Sequence, residues 1–324
     1  MTISVSNLKK AYQVYKKESG LWGSVRSLVH RKYETVKAVD GISFDIGEGE
    51  LVGFIGPNGA GKTTTLKCLS GLLYPTSGNV EVLGYTPFDK KGAFLRQIAL
   101  VMGQKNQLMW DLPAEETLIL NKEIYEISDE KYRSTLHTLT DILDAEKLLK
   151  VQVRKLSLGE RMKMELIAAL IHAPKVLFLD EPTIGLDVVM QKQLRDFIRA
   201  YNETTKATVI LTSHYMEDVR QLARRVIVID HGTILYDGAL DALVKKFAGH
   251  KLLSVILEKK VEKKEFEQIG VIVSYEFPKV VIKVPRADSN EKAALLLKKF
   301  PIEDLNIEEP DIEDVIRDVF TKSK

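Results

Sequence analysis

The sequence predicts an α/β chain that ends in a small α+β domain, and three observations carry that reading. Leu51–Ile55 is a short, wholly apolar segment of the kind buried on both faces of a sheet, and it runs into a glycine-rich turn followed by a helix. Further strand segments at Val176–Leu179, Thr208–Thr212 and Val226–Ile229 alternate with helical stretches at 189–204 and 215–224, the pattern of parallel strands joined by helical crossovers. After about Ala248 the character changes to short strands and helices without such long apolar runs.

The remaining elements follow in order. Ile3–Val5 reads as a first strand and Ala38–Ile46 as a second. Between them, 13–37 is a long connection rich in Lys, Arg and Tyr. In it Leu21, Trp22, Val25, Leu28 and Val29 recur at helical spacing, predicting a short amphipathic helix that either packs on its own domain or docks a partner. A helix is expected over 62–72, a turn at Pro75-Thr76-Ser77-Gly78 and a strand over 79–83. The stretch 111–155 is mostly helical, with Leu118, Leu136, Leu139, Ile142 and Leu143 supplying apolar faces. The tail reads strand (252–258), helix (263–269), strands (271–277 and 280–284), helix (290–300), strand (302–307) and helix (311–320). The expected division is therefore 1–247, with a helical subdomain at about 105–165, and a small α+β domain over 248–324.

Composition narrows the classes. In 324 residues, 45% are hydrophobic and 28% charged, ordinary for a soluble globular protein. A net charge of +2 creates no global field, so nucleic acid is not an expected partner. No apolar run approaches the length that spans a bilayer, and the first residues lack a signal peptide's apolar core. The expectation is a protein soluble by itself, with any membrane role arising through a partner. Cys68, the only cysteine, precludes an intramolecular disulfide, fits a reducing cytoplasm and reads as a small buried apolar residue.

Chemistry enters at Gly56-Pro57-Asn58-Gly59-Ala60-Gly61-Lys62-Thr63, which matches G-x-x-x-x-G-K-[ST] between a buried strand and a helix. Glycines let the backbone wrap closely, so that successive N–H groups converge on phosphates at the positive end of the following helix. Lys62 is expected to reach the β- and γ-phosphates of ATP, Thr63 to ligate Mg²⁺, and Thr64 to follow on the same helical turn. A second acidic site closes the strand Val176–Leu179. There Asp180 is expected to bind Mg²⁺, and Glu181 to polarise the water that attacks the γ-phosphate. Together the two motifs predict a P-loop NTPase.

Between them lies Leu156-Ser157-Leu158-Gly159-Glu160-Arg161, which closely resembles the L-S-G-G-Q signature of ATP-binding cassette (ABC) proteins. Other landmarks stand in register with that family. Gln104 resembles the Q-loop glutamine, with Leu112 and Glu116 at the spacing of the segment that follows it. Gly185-Leu186-Asp187 resembles the D-loop, and Thr212-Ser213-His214 ends a strand where the switch histidine belongs. Tyr12 is similar to the aromatic that stacks on adenine, with Tyr15 and Tyr33 as alternatives. The resemblance covers about residues 2–245. It implies two cassettes facing head to tail, each ATP lying between one phosphate loop and the other subunit's signature. On that basis Ser157 and the Gly159 backbone contact the partner's γ-phosphate, His214 bonds the γ-phosphate, Asp187 belongs to the nucleotide site, and Gln104 ligates Mg²⁺ and joins that site to the helical subdomain. The chain departs from the pattern at Leu158 and Glu160, which adds bulk and a negative charge near the partner's nucleotide.

The ending Ile307-Glu308-Glu309-Pro310-Asp311-Ile312-Glu313-Asp314-Val315 resembles that of ATPase subunits serving ABC-2 export permeases. The resemblance thus implies an ATPase that pairs with a second cassette, as homodimer or heterodimer. It would power export through a separate multi-span permease and be held by it on the inner face of the cell membrane. A soluble cassette regulator without a permease is the other class. Translation-type regulators carry two cassettes and this chain has one phosphate loop, while chromosome-type ones insert a long coiled coil that is absent here.

Overall fold

The computed structural model describes residues 1–15, 33–103 and 105–322, which fall into two compact units, Met1–Asp237 and Gly238–Lys324. Along the chain come β1 (Ile3–Tyr15), β2 (Tyr33–Ile46), β3 (Leu51–Ile55), α1 (Lys62–Leu69), β4 (Ser77–Val82), α2 (Gly92–Leu95), β5 (Ile98–Met102), α3 (Ala114–Ile124) and α4 (Asp129–Leu143). They are followed by α5 (Leu158–Leu170), β6 (Val176–Asp180), α6 (Val188–Thr205), β7 (Thr208–Thr212), α7 (Met216–Leu222), β8 (Arg225–Asp230) and β9 (Thr233–Ala239).

A six-stranded sheet has the order β5-β6-β7-β3-β8-β9, and its first five strands pair in parallel. Its strands read as unbroken apolar runs because both faces are covered. Leu177, Leu179, Val209 and Leu211 enter one core with Leu118, Leu139, Leu166 and Ile198. Val176, Phe178, Ile210 and Ile227 enter another with Ile3, Leu8, Ile46 and Leu66. Successive side chains of one strand thus serve different cores. The thiol of Cys68 is buried in the second core, where burial pushes it up to about 11, as befits a packing residue.

A separate antiparallel sheet, β2-β1-β4, goes beyond what the periodicity predicts. Both arms of its hairpin extend into the segment read as a connection, since β1 continues to Tyr15 and β2 starts at Tyr33. The amphipathic helix expected around 21–29 lies outside the described residues. Strand β5 was hidden for another reason: a five-residue apolar run carries no period that separates strand from buried helix.

The second unit contains α8 (Leu240–Phe247), β10 (His250–Leu257), β11 (Val271–Glu276), β12 (Lys279–Pro285), α9 (Ser289–Lys299), β13 (Ile302–Glu308) and α10 (Ile312–Lys322). Its sheet is antiparallel with the order β11-β12-β10-β13, the strand arrangement of a split β-α-β or ferredoxin-like unit. Leu253, Val255, Phe266, Ile282 and Leu296 form its core. The helix expected over 263–269 is a single 3₁₀ turn, Lys263–Phe266.

Candidate functional site

β3, β7 and β6 are neighbours and parallel, so the segments leaving their C-terminal ends converge on one edge of the sheet. The first of these is the 56–63 loop. Its glycines are sterically required at both ends. A Cβ on Gly56 would sit 2.2 Å from the Ile229 carbonyl oxygen, and one on Gly61, at φ 109°, 2.4 Å from that of Ala38. Asn58 and Gly59 form the exposed tip, with Pro57 and Thr64 half-buried. The Lys62 ammonium is buried and donates to the carbonyls of Gly56, at 2.6 Å, and Pro57, at 3.1 Å. Burial lowers its pKa, an effect that the charges of Glu181 and Asp180 oppose.

Opposite the loop, buried Asp180 collects two hydroxyls. Thr63 donates to it at 2.8 Å and Thr212, across the β6–β7 register, at 2.7 Å. Glu181 turns out of the strand at φ 54°, a left-handed conformation that costs a non-glycine residue about 1–2 kcal/mol. The turn is enforced from both sides. The Glu181 N–H donates to Thr212, and a Cβ on Gly103 would lie 2.2 Å from the Glu181 carbonyl oxygen. Thus held, Glu181 Oε1 lies 2.7 Å from His214 Nε2. A cleft of about 170 Å³ opens beside these groups, lined by Thr63, Lys67, Met102, Lys105, Asp180 and Glu181. A hydroxyl and a carboxylate side by side form a hard oxygen donor set that suits Mg²⁺ completed by phosphate oxygens and water.

A second group surrounds the N-terminus of α5. Ser157 caps the helix, accepting the Glu160 N–H at 3.3 Å, while the Glu160 carboxylate accepts the Ser157 N–H at 2.9 Å. Glu160 is therefore one half of a capping box, and these bonds hold its carboxyl below the usual range. Gly159 lies against Met190, where a Cβ would come within 2.9 Å, and Leu158 lies over Gly185. Asp187 caps α6, accepting the Met190 N–H at 2.9 Å. The hydrogen bonds of Ser157, Glu160 and Asp187 stay within this group.

The structure thus brings residues 56–64, Asp180, Glu181 and His214 together, and gathers Ser157, Gly159 and Asp187 separately. Tyr12 is 38% exposed on a hairpin arm, opposite Val36, with the Lys10 ammonium 5.2 Å from its ring. Gln104 lies outside the described residues.

Glu165 escaped the motif reading, although an acid among the apolar residues on the buried face of α5 is a signal. Its buried carboxylate accepts the N–H of Gln107, at 3.0 Å, and of Leu108, at 3.3 Å, and burial raises its pKa against the pull of those bonds. Glu165→Ala is expected to leave the N–H of buried Leu108, and that of the more exposed Gln107, without their carboxylate partner and to lower stability by about 1–3 kcal/mol. Denaturant unfolding measures that loss, and accelerated hydrogen exchange at 105–110 would localise it.

Comparison with known proteins gives consistent likenesses. The family description "ABC transporter" matches residues 39–184, and "EvrA-like ABC transporter, C-terminal domain" matches 249–308. The bacitracin transport ATP-binding protein BcrA of Bacillus licheniformis is 33% identical over 216 residues, covering 67% of this chain and 69% of that one. The ABC transporter ATP-binding protein NatA of Bacillus subtilis is 32% identical, covering 71% and 93%. The daunorubicin resistance ATP-binding protein DrrA3 of Streptomyces coeruleorubidus is 35% identical, covering 70% and 72%. Among solved structures, an ATP-binding subunit of an ABC transporter matches with a TM-score of 0.63 at 24% identity, covering 76% of this chain and 93% of that one. A dimeric ATP-binding cassette in a post-hydrolysis state with ADP and Pi gives 0.61 at 24% identity, covering 73% and 98%. At that identity the structural likeness is one of fold.

Proposed function

The chain belongs to the ATP-binding cassette family, and on that premise we propose that it is the ATP-hydrolysing subunit of an exporter. It works paired with a second cassette and drives a separate multi-span membrane permease of the ABC-2 type. One observation supports the pairing: among the described residues the signature group around Ser157 makes its hydrogen bonds within itself and none to the group around Lys62, as expected if it serves a nucleotide held by another cassette.

The roles follow from the chemistry of each side chain. Backbone N–H groups within 58–64 and the Lys62 ammonium, with Gly56 and Pro57 shaping the entry to the loop, hold the β- and γ-phosphates at the N-terminus of α1. Thr63, Asp180 and, by the family resemblance, Gln104 would hold Mg²⁺; the ion, when bound, neutralises charge on the phosphate oxygens. Glu181 accepts a proton from the attacking water, and His214 orients both Glu181 and the γ-phosphate. From the facing cassette, Ser157 and the Gly159 N–H at the start of α5 bind the same γ-phosphate, beside Asp187. Tyr12 stacks on adenine.

Export is supported by relatives whose names attach them to bacitracin transport and daunorubicin resistance. Those cargoes differ, so the likeness brings no cargo to this chain. No helix among the described residues is long and apolar enough to cross a membrane. In this reading the permease holds the chain on the inner face of the cell membrane. In the same reading the cassette passes into an accessory domain near residue 248, and residues of about 105–165 form the helical subdomain that docks on the permease.

The test is recovery of tagged full-length chain from detergent-extracted membranes. Co-purification of a multi-span protein in a fixed ratio is expected. Recovery of the chain without any membrane partner would instead favour a regulatory cassette.

A further inference from the structure

One buried side chain outside the phosphate site ties together two segments that flank Glu181. Asp218, on α7, is wholly shielded from solvent. One of its carboxylate oxygens accepts the Thr183 hydroxyl at 2.5 Å and the Ser213 hydroxyl at 2.7 Å. The other accepts from the Arg195 guanidinium on α6 at 2.8 Å, and Arg195 is itself buried and donates to Gln221 at 3.2 Å. Ser213 Oγ also accepts the Tyr215 N–H at 3.0 Å, so the loop is gripped on both sides of His214. Thr183 opens the turn that runs to Asp187, and its carbonyl accepts the Leu186 N–H at 3.2 Å. In that turn Gly185 lies under Leu158 of the signature group.

Apolar residues could hold α6 and α7 together at less desolvation cost than an enclosed ion pair. A carboxylate that collects two hydroxyls and a guanidinium does something they cannot: it fixes the direction of each donor, because every member must be satisfied at once. The arrangement links Leu158 to Gly185 by packing, Gly185 to Thr183 along the turn, Thr183 and Ser213 to Asp218 by hydrogen bonds, and Ser213 to its chain neighbour His214.

We propose that Asp218 is a positioning residue that makes the 183–187 turn and the His214 loop move as one body. His214 is then aligned for hydrolysis only when the signature group of the same chain is seated on the nucleotide held by the partner cassette. This rests on the reading of Glu181 and His214 as the hydrolytic pair, and it adds communication between the two halves of the cassette pair.

The test uses the full chain with Thr183→Val and Ser213→Ala, which leave the Arg195–Asp218 pair intact and so preserve the fold. Each is expected to lower kcat about 5- to 20-fold, with KM for ATP changed less than about twofold and the Hill coefficient of turnover falling toward one. The double variant should be no slower than the slower single one, since both act through one carboxylate. Thr183→Ser should restore the wild-type rate. Unchanged kcat and cooperativity in both single variants, or losses that multiply in the double variant, would overturn the proposal. Glu181→Gln serves as the reference: persistent turnover there would remove the hydrolytic reading itself, whereas an inactive Glu181→Gln beside unaffected Thr183→Val would remove only the coupling.

Discussion

Glu181→Gln is expected to cut ATP turnover by about 10²–10⁴-fold while nucleotide binding persists. The substitution isolates one property. Glutamine occupies the same space, bears the same left-handed backbone penalty at φ 54°, and still offers an oxygen to His214 Nε2. What it lacks is the capacity to take a proton from water. The phosphate-binding groups, Lys62 and the N–H donors of the loop, are untouched. The variant should therefore accumulate as an ATP-bound dimer, visible as a shift to twice the protomer mass in size-exclusion chromatography with Mg²⁺ and ATP. Turnover at the wild-type rate would sink the assignment of Glu181 as the base.

Lys62→Ala should act on the opposite quantity, weakening ATP binding by about 2–4 kcal/mol, or roughly 30- to 1000-fold in Kd. The ammonium is already buried at the loop and donates to the Gly56 and Pro57 carbonyls, so it is placed before the nucleotide arrives. Removing it takes away a charge-assisted contact to two phosphates. It also relieves a desolvation cost, which is why burial holds this lysine's pKa below its ordinary value. Thermal stability without nucleotide is thus expected to change little, while the stabilisation by added ATP disappears. Titration calorimetry that found wild-type affinity would remove Lys62 from the site.

The candidate site was legible in the sequence where chemistry demands a residue type at a fixed spacing. Gly56, Gly61, Lys62 and Thr63 follow from the need to bring backbone close to phosphate, and Asp180-Glu181 from an apolar strand that stops abruptly at two acids. Asp218, Arg195 and Glu165 were not legible in the same way. Asp218 and Arg195 look like surface charges on amphipathic helices until the packing encloses them, Glu165 stands out only as an acid among apolar residues, and their partners at Thr183, Ser213, Gln107 and Leu108 are distant in sequence or carry no spacing rule. Glu160 gained a second meaning for a similar reason. The sequence reads it as a departure that adds a negative charge to the signature, and the structure adds that this carboxylate caps its own helix.

By itself, the sequence marked a G-x-x-x-x-G-K-[ST] loop, an apolar strand ending in two acids and a signature-like segment in a fixed order, because those are local requirements of backbone and charge. Only the tertiary structure decided how they meet. Parallel pairing of β3, β7 and β6 brings 56–63, 180–181 and 212–214 to one sheet edge, and the strain at Glu181 is held by Thr212 and Gly103. The signature forms its own group around Met190 and Gly185 instead of closing over Lys62. Strand pairing and burial are non-local, so no spacing along the chain could fix them.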